Sequence, residues 1–380
     1  MTTPTDTRRE QAPPKSSRSL GSLLSGRSTD GPPVYRERKF TTWVVLFALI
    51  AIVTPNVFTG QADQLSLNVW LCYAIAGVGF YWVFGLAGRF AFCQTFMMAM
   101  GGYVSAWITL KLGPGWFLVG VLGAMAVTGL IAVAVGLILS RAQEFYFAIG
   151  TLAVSEVGAV VLTHTTSFSG ADGSTVAIAP PEIFGYVFES YLQMFWLSLV
   201  VLAIVVLVAI LLERSPVRRD AIAGRENAMV ARSAGVPVVR VQVLLFGFGS
   251  MLGGLSGALL GAINSTVDVN SFGTDLAIGI FLMLFIGGVG SVWGPIVGAA
   301  FYVAIPQVLS GLSQYENIVY GALLLVVIIL FPEGIVGALR SMTSKLRGRN
   351  SPMQPGATLV ERLSSLLPTG IRKEHDAPPG

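Results

Sequence analysis

The residue most suited to chemistry in this 380-residue chain is an acid inside an apolar segment. Glu156 lies about twelve residues into FYFAIGTLAVSEVGAVVL (145–162). An ionised carboxylate at the centre of a membrane costs about 3 kcal/mol or more unless it is paired or hydrated. Glu156 is therefore expected to face the interior of a helix bundle or water. The sequence leaves two roles equally open: lining a substrate path, or bonding to a neighbouring helix as a structural carboxylate.

Glycines and one amide mark a second apolar segment, FGLAGRFAFCQTFMMAMGGYVSAW (84–107). Small residues let membrane helices approach closely, and glycine-broken helices in membranes line cavities because their freed backbone groups need partners. Helix packing is the favoured interpretation for Gly101 and Gly102. For Gln94, a polar cavity and plain packing are equally open. The predicted structural glycines of this and a later segment are Gly85, Gly88, Gly101, Gly102, Gly287, Gly288, Gly290 and Gly294.

A third segment, RDAIAGRENAMVARSAGVP (219–237), places five charged residues in an otherwise apolar chain. Ala228, Ala231 and Gly235 recur at spacings of three and four, which share one helix face. Gly235 followed by Pro237 ends the helix. The segment is predicted to be a short helix outside the membrane with a face of small residues. Because a solvated loop does not need such a face, close contact with a partner protein is the favoured interpretation.

Several kinds of chemistry are disfavoured by what the sequence lacks. It contains no Gly-Lys dipeptide, so it has no phosphate-binding loop of the GxxxxGK[ST] type, and any ATP-driven function needs a separate ATPase. Its two histidines, His164 and His375, are far apart, which disfavours a metal site or a Ser-His-Asp arrangement. Cys72 and Cys93 lie in apolar segments and are interpreted as buried hydrophobes. Basic residues occur without an aromatic stacking platform, so nucleic-acid binding is not expected.

The elements that position these residues are predicted to be membrane helices. Only 12% of the residues are charged and 53% are hydrophobic, against about 25% charged in a soluble domain. Long segments lack Asp, Glu, Lys and Arg altogether, and a helix that spans a bilayer needs about 20 apolar residues. The turn GGVGSVWGP (287–295) divides the longest of these segments into two helices. The fold is predicted to be all-α and polytopic, with Gly-rich broken helices and about ten spans at 41–54, 66–87, 92–110, 117–139, 145–163, 192–212, 240–262, 276–287, 293–310 and 317–332.

The basic residues predict the orientation of these spans in the membrane. Eight Lys or Arg lie in 1–39, six in 213–240 and seven after Phe331, whereas the loops 164–191 and 263–275 contain acids and no base. Because cytoplasmic loops carry an excess of Lys and Arg, both termini are expected in the cytoplasm. The predicted domains are a disordered N-terminal tail (1–39), a transmembrane domain in contact with lipid (40–340) and a mostly disordered C-terminal tail (341–380).

Taken in order, these motifs resemble those of the LivM-like membrane subunits of ABC importers for branched-chain amino acids, a family that also contains urea and short-amide permeases. The resemblance covers roughly residues 66–340 and rests on six segments that are highly specific together. They are GLAGRFAFCQTFMMAMGGY, TLAVSE, SGADGS, AIAGRENAMVARSAGVPVVRVQVLLFGFGSMLGGLSGAL, FIGGVGSVWGPIVGA and FPEGIVG. Ala91, Cys93, Ser169 and Ala171 depart from the residues usual in the family, which bears on the substrate more than on the architecture.

The resemblance implies the ABC importer permease fold, a location in the inner (plasma) membrane and no cofactor of the chain's own. The implied partners are a second, LivH-like permease subunit, two cytoplasmic ATPase subunits that use the ATP, and an extracytoplasmic substrate-binding protein. Residues 219–235 are implied to be a coupling helix that docks on an ATPase, so a bulky residue at Ala231 is expected to weaken docking. The implied coupling residues are Arg219, Arg225, Glu226, Ala228, Ala231 and Gly235, and the substrate-path residues are Gln94, Thr151 and Glu156.

The expected function is that of a permease subunit, not an enzyme, that forms half of a pathway for branched-chain or other apolar amino acids. Urea or a short amide is the alternative substrate within this class. An ion-coupled secondary transporter needs ionisable groups in the membrane to bind the coupling ion, and apart from Glu156 the predicted spans nearly lack them. A purely structural membrane scaffold is disfavoured by the broken, glycine-rich spans.

Overall fold

The computed structural model of the protein describes residues 60–165, 175–178, 180–183 and 185–309, together with positions 321 and 334. These residues belong to Phe58–Gly380, one of two units into which the chain divides. The helices in this part of the chain are α1 (Gln61–Phe80), α2 (Gln94–Leu112), α3 (Phe117–Ile138), α4 (Glu144–His164), α5 (Tyr191–Glu213), α6 (Pro216–Glu226), α7 (Ala228–Ser233), α8 (Val238–Asn264), α9 (Thr274–Gly287) and α10 (Trp293–Leu309). The strands are β1 (Thr175–Ala177), β2 (Glu182–Ile183), β3 (Tyr186–Val187) and β4 (Thr266–Asp268).

Eight of the predicted spans are helices in the structure. They correspond to α1 to α5 and α8 to α10, and their ends differ from the predicted boundaries by a few residues. Within the described residues, six helical segments are long and apolar enough to cross a membrane, and α2 and α10 are not among them. The predicted span 41–54, the span 317–332 apart from position 321, and the two predicted tails lie outside the described residues. The structure is therefore a polytopic helical bundle, and the total of ten spans remains a prediction.

α8 is the central helix of the bundle, and its glycines explain this position. A Cβ atom on Gly257 would overlap the backbone of Met98 in α2, and one on Gly249 would meet the carbonyl oxygen of Gly79 in α1. Small residues allow such close approach of membrane helices. As a result α8 packs against α1, α2 and α3 together.

α1 changes its geometry at one end. Residues Tyr81–Leu86 continue it as π-helical turns, in which the amide of Ala87 donates to the carbonyl oxygen of Trp82. Gly88 then adopts a φ of 70°, in the left-handed region that glycine tolerates. π-helical turns are rare and occur frequently at functional sites.

α9 and α10 are joined by a tight turn that returns the chain along α1. The Gly287 backbone lies directly against the Gly294 backbone, which leaves no space for a side chain at either position. In α10, Pro295 contacts Gly77 of α1, and the Ile296 carbonyl oxygen accepts a 3.0 Å hydrogen bond from the indole of Trp70.

The loops gather at two ends of the bundle, in the alternation that the predicted spans require. At one end β1 pairs antiparallel with β4, with Thr175 opposite Asp268, and the turn Pro114–Trp116 lies beside β2. At the other end Arg89, after the first helix, donates to the Ala142 carbonyl oxygen between α3 and α4. The structure is mostly helical, as predicted, and the short strands are confined to loops. The loops that contain β1 and β4 satisfy part of their backbone hydrogen bonds by pairing.

α3, α4 and α5 lie at the periphery of this chain. In the most apolar stretch of each of these helices, only 33%, 22% and 33% of the residues are buried. The corresponding fractions are 89% for α1 and 83% for α8. Large apolar side chains such as Leu130, Val157 and Leu207 are exposed on them. In a membrane these surfaces contact lipid or another protein, because apolar side chains gain nothing from water.

Candidate functional site

Glu156 lies on an exposed face of α4, where it joins that helix to the start of α9. Its Oε1 accepts a 3.1 Å hydrogen bond from the hydroxyl of Thr274, the first residue of α9. A helix N-terminus bears partial positive charge, which also favours a carboxylate there. This single contact leaves acceptor capacity on the carboxylate, which has about four acceptor positions. The sequence predicts that Glu156 faces the bundle interior or water, and in the structure it lies at the surface of this subunit.

A stripe of side chains on α9 continues from Thr274 and is here called the α9 stripe (Thr274, Ile278, Phe281 and Phe285). Spacings of three and four residues place the four on one helix face. Thr274 and Ile278 are exposed, and Phe281 and Phe285 are partly exposed. The two phenylalanines are not among the residues predicted from sequence, although their spacing of four places them on one helix face.

Aromatic rings from the end of α1 and from the loop before α2 pack against the α9 stripe. The Phe281 ring centroid lies 5.1 Å from that of Phe92 and 5.5 Å from that of Phe90. Phe84, in the π-helical turns, lies 5.5 Å from Phe285. Such aromatic pairs contribute about 0.5–1.5 kcal/mol each beyond their buried area. The rings form a continuous apolar wall along α9, with Thr274 and Glu156 at the far end of the stripe.

Gln94 is buried in the packing between helices. Its side chain is 2% exposed, and its Nε2 donates to the carbonyl oxygen of Gly249 in α8 at 3.0 Å. Gly79 and Gly253 both lie close to this amide, so the side chain fills the space between α1 and α8. Of the two interpretations that the sequence left open, the structure supports packing.

Thr151 is also fully buried, and its hydroxyl has a backbone partner. It accepts a 3.1 Å hydrogen bond from the amide of Phe92 and donates to the carbonyl oxygen of Ala148. This contact ties α4 to the loop that carries two of the aromatic rings. Thr151 therefore positions the aromatic wall and is not itself accessible to a solute.

The predicted structural glycines fall into three groups: those in close contact with another segment, those with a positive φ angle, and Gly290, which has neither. Gly101 and Gly102 allow α2 to contact α8 closely, and Gly287 and Gly294 allow the turn between α9 and α10. Gly88 and Gly288 have positive φ angles. Gly85 lies against Tyr81 and the Val289 carbonyl oxygen, whereas a Cβ atom on Gly290 would meet open space. The structure shows no close contact that requires glycine at 290.

The charged segment forms two helices instead of the single helix predicted for 219–235. The first, α6, begins at Pro216 and ends at Glu226, and the second, α7, follows after Asn227. Asn227 is extended (φ −155°, ψ 99°), and its side chain accepts from the amides of Met229 and Val230. Asparagine is a strong N-cap residue, and it ends one helix by starting the next. These two helices are here called the short helix pair.

The small residues of the pair differ in exposure, and Gly235 lies at the surface. Ala231 is 4% exposed, and Ala228 is half-buried. Gly235 has a φ of 85° and no heavy atom where its Cβ would lie, so it serves the helix end and not a close contact. Ala231 is therefore covered by this chain itself, and docking through the small residues remains a prediction for Ala228 and Gly235. The exposed apolar side chains are instead Met229 and Val230, at 83% and 62% exposure.

The charged residues of the pair are alike in exposure but differ in their contacts. Arg219, Arg225 and Glu226 are all exposed. Arg225 turns inward at its tip: its Nη1 donates to the carbonyl oxygen of Gly85 in the π-helical turns, and its Cγ lies against Gly88. The structure thus joins the short helix pair directly to the end of α1, a connection that sequence spacing could not indicate across 140 residues.

Comparison with known sequences assigns this arrangement to a family. The family described as "Branched-chain amino acid transport system / permease component" matches residues 65–331, which include every helix described above except the first turn of α1. The chain belongs to this family. It is a membrane permease subunit of an ABC importer, a transport component and not an enzyme.

Individual relatives of this permease are distant but match most of its length. LivM, the high-affinity branched-chain amino acid transport system permease protein of Escherichia coli (strain K12), is 25% identical over 328 residues, which cover 78% of this chain and 75% of LivM. LivH of the same strain is 24% identical over 285 residues, covering 70% and 91%. The L-arabinose ABC transporter permease protein AraH of Azospirillum brasilense is 25% identical over 299 residues, covering 76% and 84%. No solved structure gives a significant match.

Proposed function

We propose that this permease forms half of the translocation pathway of an importer for branched-chain and other apolar amino acids. A second permease subunit, similar to LivH, supplies the other half. Two ATPase subunits and an extracytoplasmic binding protein complete the assembly. The names of LivM and LivH support this substrate class, and the absence of a phosphate-binding loop in the sequence supports a separate ATPase.

The observation that supports the pathway is the carboxylate of Glu156 on an exposed face of an apolar helix. An ionised group costs free energy in contact with lipid, so that face of α4 is expected to meet water or the second permease. The α9 stripe and its aromatic rings continue the surface from the hydrogen bond between Glu156 and Thr274. An apolar amino acid has an ammonium group that suits the carboxylate and an aliphatic side chain that suits the rings.

The proposed orientation places both termini, the short helix pair and Arg89 in the cytoplasm. It is supported by the excess of Lys and Arg in the segments predicted to be cytoplasmic. The gathering of Arg89, Ala142 and Gln242 at one end of the bundle fits this arrangement. The strands β1 and β4 then lie on the extracytoplasmic side, where the binding protein delivers substrate.

The short helix pair is proposed to be the docking element for an ATPase. Met229 and Val230 are the side chains that support this proposal, because large apolar residues exposed on a charged helix outside the membrane are typical of an interaction site. Arg219 and Glu226, which are exposed beside them, suit the polar rim of such an interface.

The test compares Glu156→Gln with Glu189→Gln in the complete importer. Both variants remove one exposed carboxylate, and Glu189 lies outside the helices, before α5. The amide can keep the bond to Thr274 but cannot pair with an ammonium group, and hydrogen bonds to charged groups contribute about 1.5–3 kcal/mol. Leucine uptake by Glu156→Gln is therefore expected to fall about tenfold, with Glu189→Gln unchanged.

The control measurements are complex assembly and the uptake of other solutes. Co-purification of the ATPase subunits should be the same in the two variants. Leucine uptake that stays normal in Glu156→Gln would contradict a pathway role for this carboxylate. Uptake of urea or arabinose in place of leucine by the unmodified importer would contradict the proposed substrate.

A further inference from the structure

The end of α1 is held by the short helix pair through one arginine. The Nη1 of Arg225 donates to the carbonyl oxygen of Gly85, and the arginine stem packs so closely on Gly88 that a Cβ there would lie 2.8 Å from its Cγ. Gly88 has a φ of 70°, so a side chain at this position would be both strained and in collision with Arg225. The backbone at the end of α1 is therefore shaped to receive this side chain.

The acceptor suits a cation for a physical reason. Carbonyl oxygens in the last turn of a helix have no partner within the helix and bear its partial negative charge. A guanidinium group donates in a fixed planar geometry, so it fixes the orientation of the acceptor as well as attracting it. A flexible ammonium group provides the attraction alone.

A second contact to the same π-helical turns comes from the residue that ends α5, just before α6. The hydroxyl of Tyr81 lies 2.6 Å from Oε1 of Glu213, the last residue of α5. Glu213 precedes α6 and Arg225 is near its end. Both flanks of α6 are therefore bonded to one six-residue segment, Tyr81–Leu86.

That segment also contains part of the aromatic wall. Phe84 lies between the two residues that are held, and its ring packs on Phe90 at 4.5 Å and on Phe285 of the α9 stripe at 5.5 Å. A movement of α6 would thus reach the rings through one short piece of backbone.

We infer that Arg225 is the positioning residue that transmits the movement of the ATPase-docked helix pair to the aromatic wall, by gripping the backbone at Gly85. The inference rests on the proposed role of the pair as the docking element. Arg225 is assigned to contact within the subunit, and the ATPase interface is assigned to the other exposed residues of the short helix pair. ATP hydrolysis and substrate movement are then coupled through one backbone hydrogen bond.

The test measures ATP hydrolysis and leucine uptake in the same proteoliposomes containing the complete importer. Arg225→Met keeps the apolar stem and removes the donors, and Arg225→Lys keeps the charge. Arg141→Met is the matched control, since Arg141 is an exposed arginine in the loop between α3 and α4. For Arg225→Met, hydrolysis is expected within about twofold of the parent and uptake at least tenfold lower. Arg225→Lys is expected to give an intermediate ratio of uptake to hydrolysis.

The opposite results are equally clear. Uptake and hydrolysis that fall in proportion, or loss of the ATPase from the purified complex, would make Arg225 a structural residue and overturn the inference. A ratio equal to that of the parent in Arg225→Met would also overturn it. If the unmodified importer binds no ATPase and takes up no leucine, the proposed function itself fails, and this outcome is visible before any variant is compared.

Discussion

At the scale of the residue, burial distinguishes the three polar side chains that are predicted to line the substrate path. Gln94 and Thr151 are buried and satisfy backbone groups of neighbouring elements, whereas Glu156 is exposed on an apolar helix. A buried amide or hydroxyl loses free energy unless it is hydrogen-bonded. The Thr151 hydroxyl and the Gln94 Nε2 have such bonds, whereas the Gln94 Oε1 has no partner among the described residues. Only the third is accessible to a solute, which is why the proposed pathway rests on it.

A residue-scale prediction concerns the contact between α2 and α8. In Gly101→Ala the new methyl group overlaps the backbone of Gly254, which cannot move without separating the two helices. Overpacking of this kind costs about 1–3 kcal/mol. The purified permease is therefore expected to unfold at a lower temperature in detergent. The measurement is the loss of its monodisperse peak in size-exclusion chromatography after heating.

The matched control for that substitution is Gly290→Ala. A Cβ atom there meets open space, so its melting temperature should equal that of the parent. Equal melting temperatures in the two variants would mean that α2 and α8 do not approach as closely as the structure describes.

At the scale of the element, the short helix pair shows how one capping residue changes which side chains a helix exposes. The small residues were predicted to form the contact surface. Asn227 ends α6 and starts α7 in a new direction, so that Ala231 is turned inward and Met229 and Val230 outward. A substitution of Ala231 by Trp would therefore strain the packing within the subunit and would not report on docking alone.

We therefore expect Met229 and Val230 to contact the ATPase. Burial of a large apolar side chain contributes about 1.5–3 kcal/mol, so the double variant Met229→Ser with Val230→Ser should weaken ATPase binding at least tenfold. Binding of purified ATPase to the permease in nanodiscs measures this effect. The melting temperature of the permease alone should be unchanged, whereas Ala231→Trp should lower it. ATPase binding at parental strength in the double variant would contradict docking at α7.

Much of the element order was available from the sequence, because gaps between charged residues mark membrane helices directly. α3, for example, was predicted at 117–139 and extends over Phe117–Ile138. Contacts between distant segments were not available. The hydrogen bonds from Arg225 to Gly85 and from Thr274 to Glu156 join residues 140 and 118 positions apart. No local pattern of hydrophobicity or capping encodes such pairs, and the side to which Gln94 points depends on where α8 lies.

At the scale of the whole molecule, the bundle combines a tightly packed centre with an incomplete periphery. α1 and α8 are mostly buried, while α3, α4 and α5 expose apolar surface. The exposed carboxylate on α4 distinguishes that helix from a plain lipid-facing one, since lipid does not satisfy charge. This arrangement supports the proposal that the permease is one half of a larger assembly, with the second permease at α4 and α9.

The orientation of the assembly can be tested with single cysteines at the two ends of the bundle. Tyr186, in β3, is exposed at the end predicted to be extracytoplasmic, and Ser233, at the end of α7, is exposed at the other. The native Cys72 and Cys93 are fully buried, so they should react slowly with a polar maleimide. In right-side-out membrane vesicles, a membrane-impermeant maleimide is expected to label Tyr186→Cys at once and Ser233→Cys only after permeabilisation. The parent protein gives the background. Because short basic loops stay in the cytoplasm, labelling of Ser233→Cys in sealed vesicles would invert the orientation and remove the short helix pair from the reach of any cytoplasmic ATPase.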